Sequence, residues 1–592
     1  MVTRRPGSTP QTEARAEPDL ILRADATEST RLLGPGPDEH ANETTLNSTS
    51  QSWNGLADFE GLPWWRQPSV FWLLAPYSLF TLAFGSVLVP KLNLILDLVC
   101  QRYFANQKLI NPDQSFNPII LGAENPQCRE NAEVQKLVGT FILIMTLCTG
   151  LLSAFIAPKM GHLSDRYGRR RLLALASCGG LMGELITILA AKYPQTVDYR
   201  WLILGSVFDG LTGSFTAGNI ISQSYTSDCT PPSKRAVAIG YIHACLFMGL
   251  ALGQFLGGEI VKLTGSLVSV FYIVLVAHSI FIFTVAFVVP ESLSKKRQLA
   301  AQEKHRKEKE ERRERTGSWI SMVRQNNPFA ALAVLYPRGR GTSTRLRINL
   351  IALATCDMII MGTAMAAGQI IILYSGYIFS WDTREQSRFI AGVSFIRVII
   401  LMVIFPIINY FFRIRPAIMR SRKTGVTPPD KNGGADHLDV WIIRLALASD
   451  IIGYVGYAVA RSPGLFISSA VTTAFGGLGS ATCQSVVTKH VSQDRVGQVL
   501  GAIGMLQALV RVMGPLAFNG LWVLTVKTYP QAIFVALVCL FSFALLCSFL
   551  VTPHVHWEEH IEEEEEPFNG RVPDPFGINA ANLPLDEDEI RY

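Results

Sequence analysis

Glu184, Asp209, Asp357, Arg397, Asp450 and Arg511 each fall near the middle of a long apolar stretch. An ionised side chain at that depth in a bilayer costs about 2.5–3.5 kcal/mol on the most lenient scale, so each needs a partner, a wet cavity or a function. A carboxylate withdrawn from water is suited to exchanging protons, because desolvation disfavours its charged form. Asp209 and Asp357 are therefore candidates to load a proton on one side of a membrane and release it on the other. A nearby Arg397 or Arg511 would compete for the carboxylate and tie proton release to an anionic substrate. A fixed Asp–Arg pair that only holds helices together fits the same residues. His243 is a further titratable candidate, set against the commoner role of a packing histidine. Gln369, Tyr374, Tyr377 and Gln484 offer hydrogen bonds to a solute, although aromatic side chains more often serve as packing. The chain has no G-x-S-x-G and no H-E-x-x-H, and its ten cysteines show no C-x-x-C spacing. Catalysis, a metal and a cofactor are therefore not expected.

The elements that carry these residues follow from composition. Of 592 residues, 49% are hydrophobic and 17% charged, against about 25% charged in soluble chains. Mean hydropathy is +0.26, and the apolar residues come in uninterrupted blocks of about 20, the length that crosses a bilayer as a helix. Spans are expected at about 70–96, 134–158, 172–192, 199–226, 236–261 and 267–290, then at 347–380, 388–412, 440–460, 464–488, 496–526 and 530–552. Trp64, Trp65 and Trp72 mark an interface before the first. Arg166–Arg171, Lys234-Arg235, Lys295–Arg315, Arg413–Lys423 and Lys489/Arg495 all fall on one face, which the positive-inside bias makes cytoplasmic along with both termini. The basic clusters are thus accounted for by a membrane, and no nucleic-acid partner is expected.

The sharpest motif is the connection between the second and third spans, Gly161-His162-Leu163-Ser164-Asp165-Arg166-Tyr167-Gly168-Arg169-Arg170-Arg171. Glycines at both ends allow a tight turn and close helix approach, and Asp165 has arginines or another helix's positive end as partners. A repeat accompanies it. Glu184/Asp450, Gly210/Gly476, Gly213/Gly479, Ser214/Ser480 and Asp228/Asp494 share one offset, and the register resumes after a five-residue gap at Lys234/Arg495, Gly240/Gly501 and Gly253/Gly514. Two parallel bundles are what such a duplication implies.

The run G-x-L-S-D-R-x-G-R-R resembles the signature between the second and third helices of the major facilitator superfamily. Pro290-Glu291-Ser292 resembles the end of its first half. The resemblance implies an all-α membrane protein of twelve transmembrane helices in two pseudo-symmetric six-helix bundles. Expected boundaries are a disordered cytosolic region at 1–66, bundles at 67–291 and 347–552 joined by a charged cytosolic linker at 292–346, and an acidic disordered tail at 553–592. In that family the first, fourth, seventh and tenth helices line the cavity. Asp209 and Asp357 would then face the path, with Arg397 and Arg511 flanking it and Glu184 and Asp450 on supporting helices. Gly161, Asp165, Arg166, Gly168, Arg169 and Arg170 would form a cytoplasmic gate. Gly240, Gly249, Gly253, Gly257 and Gly258 resemble the family's antiporter motif, with Gln254 in place of proline, and would form a smooth face toward the opposite half. Ser206 stands where drug–proton antiporters carry arginine, so the likeness is nearer to the proton-coupled folate and tetracycline-type carriers.

The implied function is secondary active transport of small organic solutes, proton-coupled, by alternating access. A non-translocating nutrient sensor of the same fold is the alternative. Expected partners are a small-molecule substrate, protons and the lipid bilayer, with the chain acting as a monomer. Cys100 and Cys128 share the first non-cytoplasmic loop, where an oxidising side allows a disulfide. Glu28-Ser29-Thr30-Arg31-Leu32-Leu33 resembles an acidic dileucine sorting signal, so the plasma membrane and a vacuolar or endosomal membrane are both open. Sequons at Asn42 and Asn47 would lie unused in the cytosol.

Overall fold

The computed structural model describes residues 56–557 apart from 111–118, 120, 122–124, 126, 129–130, 315–327, 338–341, 382, 425–432 and 527. The dileucine run, both sequons and the run Glu562–Glu566 lie outside the described residues. The spanning helices are α1 (Val70–Ile110), α2 (Ala132–Tyr167), α3 (Arg169–Lys192), α4 in two pieces (Trp201–Leu211 and Ser214–Cys229), α5 (Pro232–Thr264) and α6 (Val268–Phe283, extended by a wider turn over Thr284–Val288). In the second half they are α7 (Thr344–Phe379), α8 (Arg388–Lys423), α9 (His437–Val459), α10 (Pro463–Lys489), α11 (Val496–Thr525) and α12 (Ala532–Phe549). A linker helix (Lys295–Glu314) separates the halves, α1–α6 and α7–α12.

Among the described residues, eleven of these helices are long and apolar enough to cross a membrane. The twelfth, α4, is broken at Thr212-Gly213. Gly213 adopts φ +85° there, in the left-handed region open to glycine. Its counterpart in the repeat, α10, is interrupted by a tighter turn at Ala474–Gly476. The two breaks fall where the repeat pairs Gly210 with Gly476, so the duplication extends to backbone irregularity. Asp209 occupies the last turn before the first break.

Helix ends follow local chemistry. Asn131 accepts from the Glu133 and Val134 amides to start α2, and Pro232 opens α5 at its first position. Gly265 at φ +65° ends α5 in the left-handed conformation. The first helix runs about four turns past its expected end. Asp97 is satisfied by Asn125 Nδ2 at 2.9 Å, and a Cys100–Cys128 disulfide ties the extension to the following loop.

Tertiary packing redirects the α5 glycines. Only Gly240 faces the opposite half, where a Cβ would press on Phe405 of α8. Gly249, Gly253 and Gly257 lie on one stripe against α1, at Thr81, Leu82, Gly85 and Ser86, and Gly258 has nothing within 4 Å. The expected smooth face toward the other half is therefore mostly an α1–α5 contact within the first half. A four-residue repeat puts 249, 253 and 257 on one face of a helix and turns 258 away from it.

After α12 the chain folds back under the second half. Asn349 brackets Thr552, donating to its carbonyl at 2.8 Å and accepting from its amide at 2.9 Å. The His554 amide donates to Ala435 and the Trp557 amide to His490. His490 is buried, which lowers it from 6.5 to about 4. An unfolded chain therefore takes up a proton there below about pH 6.5 that the folded chain refuses until about pH 4, so acidification through that window weakens this anchorage. Hydrogen exchange over 551–557, corrected for intrinsic rates, should be faster at pH 5 than at pH 7.5. Equal protection at both values would show that His490 does not control the fold-back.

Candidate functional site

A cavity of about 410 Å³ opens among α1, α2, α3, α4 and α6, closed on one side by Arg511 and Val512 of α11. Its wall is largely apolar and aromatic, with Phe80, Phe84, Phe215 and Met145, and it is studded with charge. Ser214 Oγ donates to Asp209 Oδ2 at 2.7 Å across the α4 break. Lys91 Nζ lies 3.8 Å from Glu184 Oε1, and His278 of α6 completes the ring. Arg511 stacks its guanidinium 5.6 Å from the centre of the Phe215 ring, a cation–π contact that leaves its in-plane donors free to point elsewhere. Asp209 and Arg511, expected near a path, thus share one cavity. Glu184, assigned to a supporting helix, lines it too. Lys91 and His278 were missed, because a lysine near a span end reads as snorkelling and a lone histidine as packing.

Asp357 and Arg397 lie elsewhere. Asp357 is fully buried and accepts from Ser480 Oγ at 2.7 Å, Gln507 Nε2 at 2.7 Å and Gln484 Nε2 at 3.2 Å. These neutral donors hold it where an arginine competitor was expected. Arg397 instead lies over Phe247 of α5, 5.1 Å from its ring centre, and shares a water-sized pocket of about 20 Å³ with Asp450, His243, Tyr454 and Ser480. His243 is buried and 3.5 Å from Gln223. A second pocket of the same size joins Arg511 and Phe215 to Gln507 and Met361. Polar groups therefore run from Asp209 and Arg511 through Gln507, Asp357 and Ser480 to Asp450. Of the remaining candidates, Tyr374 is buried among Phe379, Phe466, Trp522 and Phe534, which fits packing. Tyr377 is exposed beside Trp522, and the side chain of Gln369 lies outside the described residues.

The motif loop forms a clasp at the Arg-rich end. Arg169 is fully buried, with Nη1 2.6 Å from Asp165 Oδ1 and Nε 2.9 Å from Asp228 Oδ2. The same Nη1 donates to Ser164 Oγ at 2.7 Å. Asp165 accepts from the Gly497 amide at 3.2 Å, in the first turn of α11, where the helix dipole favours an anion. Two acids against one arginine leave an excess negative charge, and that helix end faces it. Gly497 has no room for a side chain, since a Cβ would stand 2.5 Å from Asp165 Oδ1 and 2.7 Å from Arg169 Nη1.

Pro290-Glu291-Ser292 belongs to the same clasp. Glu291 accepts from the Arg169 and Arg170 amides at 2.8 and 3.2 Å, capping α3, and Ser292 Oγ donates to Asp228 at 3.3 Å. Burial raises the Glu291 carboxyl above its usual range, while the amides that donate to it pull the other way. Gly168 adopts φ +96° directly against this carboxylate. Gly168→Ala should therefore lose about 1–3 kcal/mol from the backbone alone and more from the displaced cap, read as a lower melting temperature of the purified protein. An unchanged melting temperature would show that the turn relaxes freely.

The second half lacks the motif but makes the symmetry-related contact with other residues. Asn409 Nδ2 and Arg413 Nη1 of α8 both donate to Ser233 O at the start of α5, each at 3.2 Å. Arg413 also pairs with Asp439 at 2.6 Å, which in turn holds Lys489 at 2.6 Å. Arg235 Nη1 donates to Thr488 Oγ1 at 3.2 Å. The linker helix crosses between the halves, Gln302 donating to Arg166 O at 2.9 Å and Lys304 pairing with Asp494 at 2.8 Å.

Spanning helices in two related halves, ionisable residues around an internal cavity and a charged clasp between the halves at one end define a membrane transporter. The family model Major Facilitator Superfamily matches residues 132–424, and proteins of similar sequence align along most of the chain. The MFS-type transporter avaJ of Aspergillus versicolor is 29% identical over 511 residues, 86% of this chain and 93% of its own. The class H tetracycline resistance protein of Pasteurella multocida is 21% identical over 68% of this chain and 84% of its own. The proton-coupled folate transporter of Bos taurus is 21% identical over 67% of this chain and 75% of its own. The crystal structure of the human organic anion transporter MFSD10 (TETRAN) superimposes with a TM-score of 0.56 at 16% identity, over 82% of this chain and 98% of that one, which shows the shared fold.

Proposed function

We propose that the protein is a proton-coupled secondary active transporter of small organic solutes that carry an anionic group, working by alternating access. The observation that carries this reading is a single cavity containing both Asp209 and Arg511, with the halves clasped at the Arg-rich end by Asp165 and Gly497. An apolar, aromatic wall accommodates the body of the solute and Arg511 its anionic group. A proton on Asp209 removes the competing negative charge, so proton and anion enter together and the cavity's net charge is unchanged. The relatives whose names specify proton coupling, folate, tetracycline or organic anions fit a solute of this class. The clasped end is cytoplasmic by the arginine bias, which makes the form described here closed to the cytosol.

Uptake of a metabolite panel into proteoliposomes, with and without an inward-acid gradient, tests the proposal. Gradient-dependent accumulation of organic anions is expected. Binding without counterflow would instead point to a non-translocating sensor.

A further inference from the structure

The fold-back after α12 fixes where the C-terminal tail leaves the folded protein. Trp557 is held by its amide bond to His490, and the Arg495 guanidinium lies 4.4 Å from its ring centre. The residue before Arg495 is Asp494, the partner of Lys304 on the linker helix. The tail therefore departs next to the point where the linker helix meets the second half. From there, residues 558–592 carry twelve acids against two arginines, seven of the acids lying within Glu558–Glu566.

The linker helix presents the complementary charge. Lys295, Lys296, Arg306 and Lys307 are exposed, and among the described residues Lys295, Lys296 and Lys307 have no ion-pair partner. Arg306 is flanked by Glu303 at 2.9 Å and Glu310 at 3.9 Å, which leaves the three lysines as available cations among the described side chains. Gln298 and Gln302 occupy a contact face with Lys295 at its edge, while Lys296 and Lys307, eleven residues apart, share another side of the helix. The helix start is also held, by Ser294 and Arg297 on Asp58.

We propose that the acidic tail docks on this lysine flank of the linker helix and braces the clasp between the halves. Reach permits it. Lys296 lies about 12 Å along the helix from Lys304 at 1.5 Å per residue, and the five residues from Trp557 to Glu562 extend to about 17 Å. A tether that short gives an effective concentration in the millimolar range, an advantage over free ligands. Anionic lipid headgroups are the competing occupant, since basic juxtamembrane helices attract them. The tail is favoured because its acids start within a few residues of a fixed exit beside the helix.

Zero-length carbodiimide coupling of the purified full-length protein, mapped by mass spectrometry, tests this. Linkages from Glu558–Glu566 to Lys295, Lys296 or Lys307 are expected, falling at least about five-fold between 50 and 500 mM salt as a screened interaction must. Combined Lys295→Gln, Lys296→Gln and Lys307→Gln substitution should remove the contact, read independently as at least about five-fold faster hydrogen exchange of the linker helix, with the Lys304–Asp494 linkage intact as an internal control. Tail linkages to other sites, or none beside an intact control, would overturn the proposal. Repeating the coupling in nanodiscs decides against lipid: linkages must survive in anionic as well as neutral bilayers, and their loss only in anionic discs would identify headgroups as the occupant.

Discussion

Asp209→Asn should cut uptake driven by a pH gradient by about ten-fold or more while leaving counterflow exchange of the same solute measurable. Asparagine keeps the shape of the side chain and can still accept from Ser214 Oγ, which spans the α4 break at 2.7 Å, so the turn at Gly213 need not move. What asparagine cannot do is take up a proton. Arg511 in the same cavity then never faces the Asp209 carboxylate, and substrate binding is released from protonation at that position. Ten-fold corresponds to about 1.4 kcal/mol, modest beside the cost of an ionised group at that depth. Glu184→Gln is the comparison, because Glu184 faces Lys91 at 3.8 Å in the same cavity. Unchanged gradient dependence in Asp209→Asn, with folding intact, would leave the Asp209–Arg511 arrangement as a structural tie only.

The clasp supplies the other large effect. Arg169→Ala leaves Asp165 and Asp228 buried at 5% and 3% exposure with no cation between them. Breaking a buried ion pair from one side costs about 3–5 kcal/mol, so this variant should fail to accumulate as folded protein. Asp165→Asn is milder. Arg169 keeps Asp228 but loses the charge of its 2.6 Å partner within the first half, and across the halves the charge-assisted bond to the Gly497 amide is weakened. Such bonds contribute about 1.5–3 kcal/mol, so the population open at the clasped end should rise by about 10- to 100-fold. Spin labels on Tyr167→Cys and Arg422→Cys, exposed residues on opposite halves at that end, would report a longer distance. An unchanged distance distribution in Asp165→Asn would remove Asp165 from the gate.

Much of this arrangement was legible along the chain. The spans, the basic end and the duplication could be read because membrane solubility and positive-inside retention depend on composition over about 20 residues. The break in α4 was not legible: its span was expected over 199–226, with Gly210 and Gly213 entering only as members of the repeat, and the break is mirrored in α10. The roles of individual residues were less legible. Pro290-Glu291-Ser292 was recognisable as a family ending, but not as the cap of α3 and a donor to Asp228. The second half lost the motif, yet Asn409 and Arg413 make the equivalent contact on Ser233. Glycine spacing in α5 marked a packing stripe without identifying its partner, which is α1.

The sequence alone determined that this chain crosses a membrane many times, that its halves are copies and that its arginines gather at one end. Each of these is a property of neighbouring residues against a uniform solvent. Which charges meet was decided only by tertiary structure. Lys91, Glu184, Asp209, His278 and Arg511 come from helices up to about 400 positions apart and surround one cavity, while Asp357 is held by amides and a hydroxyl instead of an arginine. Rotation of each helix about its axis is set by side-chain packing against several neighbours at once, and no local pattern in a nearly uniformly apolar helix encodes it.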